Sequence, residues 1–285
     1  MKIQSILLTI LLLLPGLGMA QRVEIGLMGG VSNYSGELTP DYGIVLSESR
    51  PAVGGLLRYS PNKFLSLRFG ITSAYISGTD ENWSDPALQQ RNLSFRSNIV
   101  EASFIAEINV PGYDVEMNKF SPYLFVGVAG FYHNPMALYQ GEWIKLQPLG
   151  TEGQGTTAFP NRNPYSLYQA AIPFGVGTKF GLGSGLTLSA ELGVRMTFTD
   201  YLDDISTTYV DPNILILENG ELSYRLSNRT GEIPGRDRPI DFGNNDPRGN
   251  PDINDWYVIA GFTFTYTLGV PMSGSGAKEG CPVNW

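Results

Sequence analysis

Cysteine is nearly absent from this chain: Cys281 is its one thiol, so no internal disulfide can staple the fold. Histidine is equally scarce, with His133 alone, and no G-x-S-x-G motif is present. The glycine-rich stretch GTEGQG does not join a strand to a helix, so it reads as turns and not as a phosphate loop. After residue 20 no segment approaches the roughly 18 uninterrupted apolar residues of a spanning helix. Charged side chains make up 16% of the sequence, against about 25% in an ordinary soluble protein. There is no basic cluster, and the net charge is −8, which argues against nucleic-acid binding. If the chain enters a membrane it must do so as a closed barrel, because only helices and barrels satisfy every backbone group in lipid.

What is present starts with a leader. Residues 1–20 carry Lys2, an apolar run over 6–14, and the small residues Gly18 and Ala20 before a cut expected at Gln21. That is the form of a secretory signal, and no cysteine follows the cut to make a lipoprotein. The mature charge is then about −9.

Residues 186–199 alternate strictly. Leu186, Leu188, Ala190, Leu192, Val194, Met196 and Phe198 share one face, and Thr187, Ser189, Glu191, Gly193, Arg195, Thr197 and Thr199 the other. Period-two alternation marks a strand with one oily and one polar side. The same reading gives eight strands at about 22–34, 51–59, 64–76, 94–109, 120–133, 165–180, 186–200 and 255–268. The fifth is ambiguous because both its faces are apolar, and Pro173 suggests a bulge in the sixth. The connections alternate long and short, the long ones near 35–50, 77–93, 134–164 and 201–254. Those four carry the whole mature charge, and the rest of the chain is neutral.

Alternating short turns and long loops are the signature of an outer-membrane barrel with external loops and both chain ends in the periplasm. A soluble lipocalin-type barrel also alternates, but its outward face is rich in Lys and Glu. Here the polar face is mostly Gly, Ser and Thr with scattered Arg58, Arg68, Arg96, Glu101, Glu107, Lys179, Glu191 and Arg195. Those charges are expected to neutralise one another inside a narrow lumen, where unpaired ones are costly. With eight strands the interior is just filled by side chains, so no open pore is expected.

Candidate sites are few. Asp200, Asp203, Asp204 and Asp211 crowd one loop, and such oxygen-rich clusters can hold Ca²⁺. The spacing follows no known calcium loop, and solvated or turn-capping carboxylates are the commoner outcome. His133 sits where the fifth strand meets its loop. Ser166 and Asp200 are conceivable triad partners only by proximity to strand ends, and an aromatic-belt histidine is the plainer reading. Tyr34, Tyr59, Tyr75, Trp256 and Tyr266 read as interfacial anchors. The loop 201–254, with five prolines, packs as a plug or serves a partner; the sequence leaves both open. No catalytic residue, metal site or cofactor is assigned.

Four stretches carry a family resemblance: LSFRSNIVEASFIAEINV at 93–110, SPYLFVGVAGFYHNPMALYQGEWIKLQPLGTEGQG at 121–155, NPYSLYQAAIPFGVGTKF at 163–180 and TFTDYLDDISTTYVDPNIL at 197–215. In these the chain resembles the PorG-like outer-membrane β-barrel family of the type IX secretion system, over about 21–268. The resemblance implies an eight-stranded barrel that attaches a periplasmic ring, built from a lipoprotein and its ring partner, to the outer membrane. It also implies a link to gliding machinery and offers no catalytic residues. The organisation expected is a leader (1–20), an all-β, eight-stranded antiparallel transmembrane barrel (21–268) and a short periplasmic C-terminal tail (269–285). The tail, GVPMSGSGAKEGCPVNW, reads as a flexible docking arm in which Cys281 and Trp285 are the partner-binding candidates, Cys281 by an intermolecular disulfide or else as an idle thiol. The alternatives are a barrel whose outer loops bind a ligand or adhesion partner, or an enzyme acting on envelope lipids.

Overall fold

Alternating sequence becomes strand wherever one face can be buried and the other left against solvent or lipid. In the computed structural model, which describes residues 22–115 and 119–270, ten strands form. They are β1 (Arg22–Ser35), β2 (Arg50–Ser60), β3 (Leu65–Thr79), β4 (Ser94–Asn109), β5 (Phe120–Tyr132), β6 (Pro135–Tyr139), β7 (Glu142–Lys145), β8 (Tyr168–Gly183), β9 (Leu186–Thr197) and β10 (Trp256–Thr267). Eight of them pair antiparallel in a ring: β1 with β2, then β3, β4, β5, β8, β9 and β10, which returns to β1. The barrel is closed, with Glu24 opposite Thr267 on one seam and Leu65 opposite Ile108 on another. The hairpin β6–β7 extends β4 beyond the ring through the pairs Arg96–Met136 and Ser97–Pro135. Its arms, of five and four residues, are too short to stand out by alternation in sequence.

The leader at 1–20, Cys281 and Trp285 lie outside the described residues. The eight strands fall close to their expected positions, with local differences. No bulge occurs at Pro173: the β5–β8 ladder skips the pairs opposite Ile172 and Pro173 and resumes in the same register, Val126 with Phe174 and Ala129 with Ala171. Lacking an N–H, the proline removes hydrogen bonds without inserting a residue. The register shift lies instead between Gly181 and Gly183. The ambiguity of β5 has a steric origin. Its inward Tyr123 and Phe125 cover glycines on the neighbouring strands, and a Cβ at Gly175 or Gly193 would lie 2.7 Å from the Phe125 ring. Both faces of β5 are therefore apolar, one toward the lumen and one outward.

The exterior is oily. Leu27, Val53, Ile71, Phe104, Leu124, Val128, Val176, Leu192 and Phe262 are all at least half exposed, a band running round the barrel. The interior is polar and charged. A water-soluble barrel could not present this outside, whereas a bilayer solvates it. Among the described residues no helix is long and apolar enough to cross a membrane. Both ends of the described barrel lie with the short turns, and all four long connections gather at the opposite mouth.

Candidate functional site

Two polar assemblies stand out, one inside the barrel and one in the cap over its mouth. Inside, Glu107 is the hub: its Oε2 lies 2.6 Å from Lys179 Nζ and 3.0 Å from Arg58 Nε, and its Oε1 lies 3.3 Å from Arg68 Nε. Arg58 also binds Glu24 at 2.7 Å, Arg68 binds Glu191 at 2.6 Å, and Arg195 binds Glu101 at 3.2 Å. Tyr123 donates to Glu191 at 2.9 Å and Tyr257 to Glu101 at 2.8 Å. Four cations thus face four carboxylates, and the lumen is neutral. A cavity of about 30 Å³ lined by Arg68, Glu191 and Arg195 has room for about one water, and the charged side chains around it are otherwise packed against one another among the described residues.

The structure brings Arg68, Glu101, Glu107, Lys179, Glu191 and Arg195 into this network, as their alternation implies. It excludes Arg96. That side chain is exposed and stacks its guanidinium 3.5 Å from the Trp143 ring of the β6–β7 hairpin. Its even number matches the outward Val100 and Phe104, not the inward Glu101 and Glu107, so strict parity would have placed it correctly. Glu24 and Arg58 complete the balance. Glu24 stands alone in an apolar stretch of β1, and only its even parity with Ser32 marks it as inward.

Above the network the barrel closes on an apolar layer. Leu202 and Ile205 of the longest connection pack with Tyr34, Ile76, Phe95, Ile99, Phe131 and Tyr257 of the wall. The loop 201–254 is therefore a plug, carrying helices α1 (Pro212–Glu218) and α2 (Glu221–Ser227). Glu152, from the GTEGQG stretch, accepts from the backbone N–H of Ser206 and Thr207 and from the Thr207 hydroxyl, and pairs with Arg248 at 2.9 Å. Gly150, Gly153 and Gly155 hold positive φ there, so the stretch is the set of turns its composition suggests. Arg91 ties three connections: it pairs with Asp80 at 2.7 Å and donates to the carbonyls of Glu37 and Arg248.

The expected aspartate cluster is redistributed. Asp204 turns to Thr151, Tyr165 and Arg248, and burial lifts its pKa to about 6 while Arg248 holds it down. Asp211 caps α1 through the N–H of Asn213. Asp200 and Asp203 instead meet Glu37 from the β1–β2 connection and Asp255 at the foot of β10. Glu37, Asp203 and Asp255 each bring a carboxylate oxygen to within 4.8 Å of the others. The Tyr34 hydroxyl lies between two of them, 2.7 Å from Asp203 Oδ2 and 2.9 Å from Asp255 Oδ1, which share its single proton. Tyr34 is thus a buried cap residue and not an interfacial anchor, in keeping with its even number in β1. Gly36 is required beside it, since a Cβ there would overlap both the Tyr34 hydroxyl and Asp255. Burial, then the charge of Glu37, raises the Asp203 carboxyl well above the usual range; burial, then Asp203, does the same to Asp255. Burial and Glu37 push Asp200 up to about 10.

His133 is buried, with its pKa lowered to about 4 by desolvation. Its Nε2 lies 3.3 Å from the Ser166 carbonyl, and the Ser166 hydroxyl donates to the Tyr168 carbonyl. The imidazole stacks on Tyr165 and faces Phe131, with neither a nucleophile nor a carboxylate on it. Glu37, Glu152, Arg248 and Asp255 were not singled out from sequence. Each is a lone charge in a polar loop, and no local pattern distinguishes it.

Comparison with solved structures returns small outer-membrane barrels. Ail, the attachment invasion locus protein of Yersinia pestis, is 8% identical with a TM-score of 0.41, over 88% of this chain and 100% of that one. Neisserial surface protein A is 10% identical with a TM-score of 0.37, over 86% and 96%. OprG of Pseudomonas aeruginosa is 9% identical with a TM-score of 0.35, over 88% and 98%. No curated protein matches the sequence significantly. A family-level match covers residues 2–225, most of the chain, and by it the protein belongs to the family described as "Domain of unknown function (DUF6089)".

Proposed function

We propose that the protein is an outer-membrane anchor of the type IX secretion or gliding machinery, fixing the periplasmic ring to the membrane through the end that carries its short turns and both chain ends. The observation that carries this reading is the sealed lumen: a charge-balanced, filled interior offers rigidity and no conduit, which suits a fixed attachment point. The sequence resemblance over 93–110, 121–155, 163–180 and 197–215 is what suggests this machine. The mechanism is tethering. The barrel holds position in the bilayer, while the short turns and the tail with Cys281 and Trp285 face the ring lipoprotein and its partner. A second weak contact becomes intramolecular once the first is made, so modest interfaces suffice. The proposed role is non-catalytic.

The test is affinity purification from crosslinked native membranes. Ring proteins in the eluate support the anchor, whereas a barrel recovered alone counts against it. Non-reducing gels address Cys281, since a disulfide-linked complex collapses on reduction. A second reading, a barrel that binds a ligand or adhesion partner outside the cell, draws on Leu46 and Leu217, which project from the cap at more than four-fifths exposure. Deleting the chain from Gly269 abolishes ring recovery under the first reading and spares the second.

A further inference from the structure

A buried carboxylate needs a cation or a proton, because a bare charge out of water is costly. Among the described residues, the fully buried carboxylates Glu24, Asp80, Glu101, Glu107, Glu152 and Asp204 all have a basic partner within 4 Å. Glu37, Asp200, Asp203 and Asp255 are buried to the same degree and appear in no ion pair. They lie together. Arg91, whose charge helps Glu37 and Asp203, is committed to Asp80.

The hydrogen bonds of these four are unevenly met. Asp203 accepts from the Ile205 N–H at 2.8 Å and Asp255 from the Leu202 N–H at 2.9 Å, and the two share the single hydroxyl proton of Tyr34. Glu37 accepts from the Asn250 N–H at 3.3 Å through Oε1 and leaves Oε2 without a donor. Asp200, more than nine-tenths buried, has no donor in bonding geometry at either oxygen, and its strongest charge interaction is with Glu37. Three carboxylate oxygens, Glu37 Oε2 and both of Asp200, thus lack a donor in bonding geometry, although the Ser206 side chain is near enough to ease the Asp200 charge.

We propose that Glu37, Asp203 and Asp255, with Asp200 as a fourth donor, bind a hard divalent cation of the Ca²⁺ class that staples the β1–β2 connection to both ends of the β9–β10 connection. Ligands of one Ca²⁺ sit about 2.3–2.6 Å from it, so two of them are at most about 5 Å apart; Glu37, Asp203 and Asp255 meet that limit, and Asp200 stands beside Glu37 outside that triad. The donor set is all oxygen, which selects Ca²⁺ or Mg²⁺ over Zn²⁺ or copper. Burial favours Ca²⁺, since Mg²⁺ keeps several of its waters and this pocket has little room for them. Two positive charges would offset the repulsion that Arg91, committed to Asp80, relieves only in part.

The experiment is calorimetric titration of CaCl₂ into the detergent-solubilised full chain stripped with EDTA, alongside its melting temperature with and without Ca²⁺. One-site binding at a Kd on the order of 10⁻⁴ M or tighter is expected, with melting raised by roughly 5 °C at 100 times that concentration. Asp200→Asn breaks no hydrogen bond and should fold, and it weakens binding at least about tenfold. The double variant Asp203→Asn/Asp255→Asn abolishes the Ca²⁺ response, while Asp211→Asn, at the exposed helix cap, leaves it intact. If the double variant does not fold, the wild-type titration and Asp200→Asn decide. No heat and no melting shift up to about 10 mM Ca²⁺, or a shift that survives Asp200→Asn unchanged, overturns the proposal; the first outcome leaves a cluster held by shared protons.

Discussion

Replacing Glu107 by Gln tests whether the charge-balanced lumen holds the barrel together. Glutamine keeps the volume and one acceptor oxygen, so the variant removes one charge and turns the second acceptor into an amide donor. Arg58 still has Glu24, and Arg68 still has Glu191. Lys179 loses its one carboxylate partner and is left with Asn109 Oδ1 at 2.8 Å and Ser66 Oγ at 3.5 Å. Breaking a buried pair from one side costs about 3–5 kcal/mol, because the stranded charge remains out of water. With a urea dependence of roughly 2–3 kcal/mol per molar, the unfolding midpoint should fall by roughly 1–2 M. Tryptophan fluorescence in lipid vesicles, checked by heat-dependent mobility on gels, reads this out. Adding Lys179→Met restores neutrality and should recover most of the loss, since an apolar group of similar length replaces the stranded ammonium. A single variant within about 1 kcal/mol of wild type, or a double variant no better than the single, refutes the claim that charge balance is what the network contributes.

Other expectations concern the exterior, the lumen and the cap. Phe262→Arg on the barrel wall should cost about 2–4 kcal/mol in vesicles, whereas Leu217→Arg on α1, though more exposed, should change stability by no more than about 0.5 kcal/mol; equal effects would contradict a lipid-facing wall. Purified barrel added to planar bilayers should give no conductance steps, and reproducible openings would contradict the filled interior. In EDTA, the cap should weaken as pH rises from 5.5 to 8.5. The folded pKa values of Asp200, Asp203 and Asp255 lie above the unfolded value near 3.9, so stability is greatest below that value. It falls as pH climbs toward the folded values, about 10 for Asp200. Glu37, Tyr34 and Arg91 face the same group, and Arg91 is too basic to titrate in this range. Limited proteolysis of 201–254, normalised to an unfolded peptide, should be faster at pH 8.5, with Asp200→Asn flattening the difference. Identical normalised rates at both values would count against the repulsive cluster.

Strand parity carried a great deal. Along β4 and β9 the alternation marks Glu101, Glu107, Glu191 and Arg195 as inward before any contact is known, because a strand's side-chain period is two and purely local. Even the misplacement of Arg96 and Tyr34 was correctable by counting from a neighbour of known face. Parity says which way a side chain points, however, and not which partner it meets. Nothing local makes Lys179, Arg58 and Arg68 converge on Glu107, and nothing in loops of mixed polarity sends Glu37 to Asp255.

The sequence by itself thus determined a β-barrel with an oily outside and a polar inside, since alternation and turn spacing are written residue by residue. Closure of the ring and packing of the plug decided the rest: a balanced lumen, and a carboxylate pocket that draws Glu37 from the β1–β2 connection to Asp203 and Asp255 at the two ends of the β9–β10 connection while sending Asp204 to Arg248. Those meetings depend on registers and loop paths that span the whole chain. Burial energies act only between groups already brought together, and it is the tertiary fold that brings them.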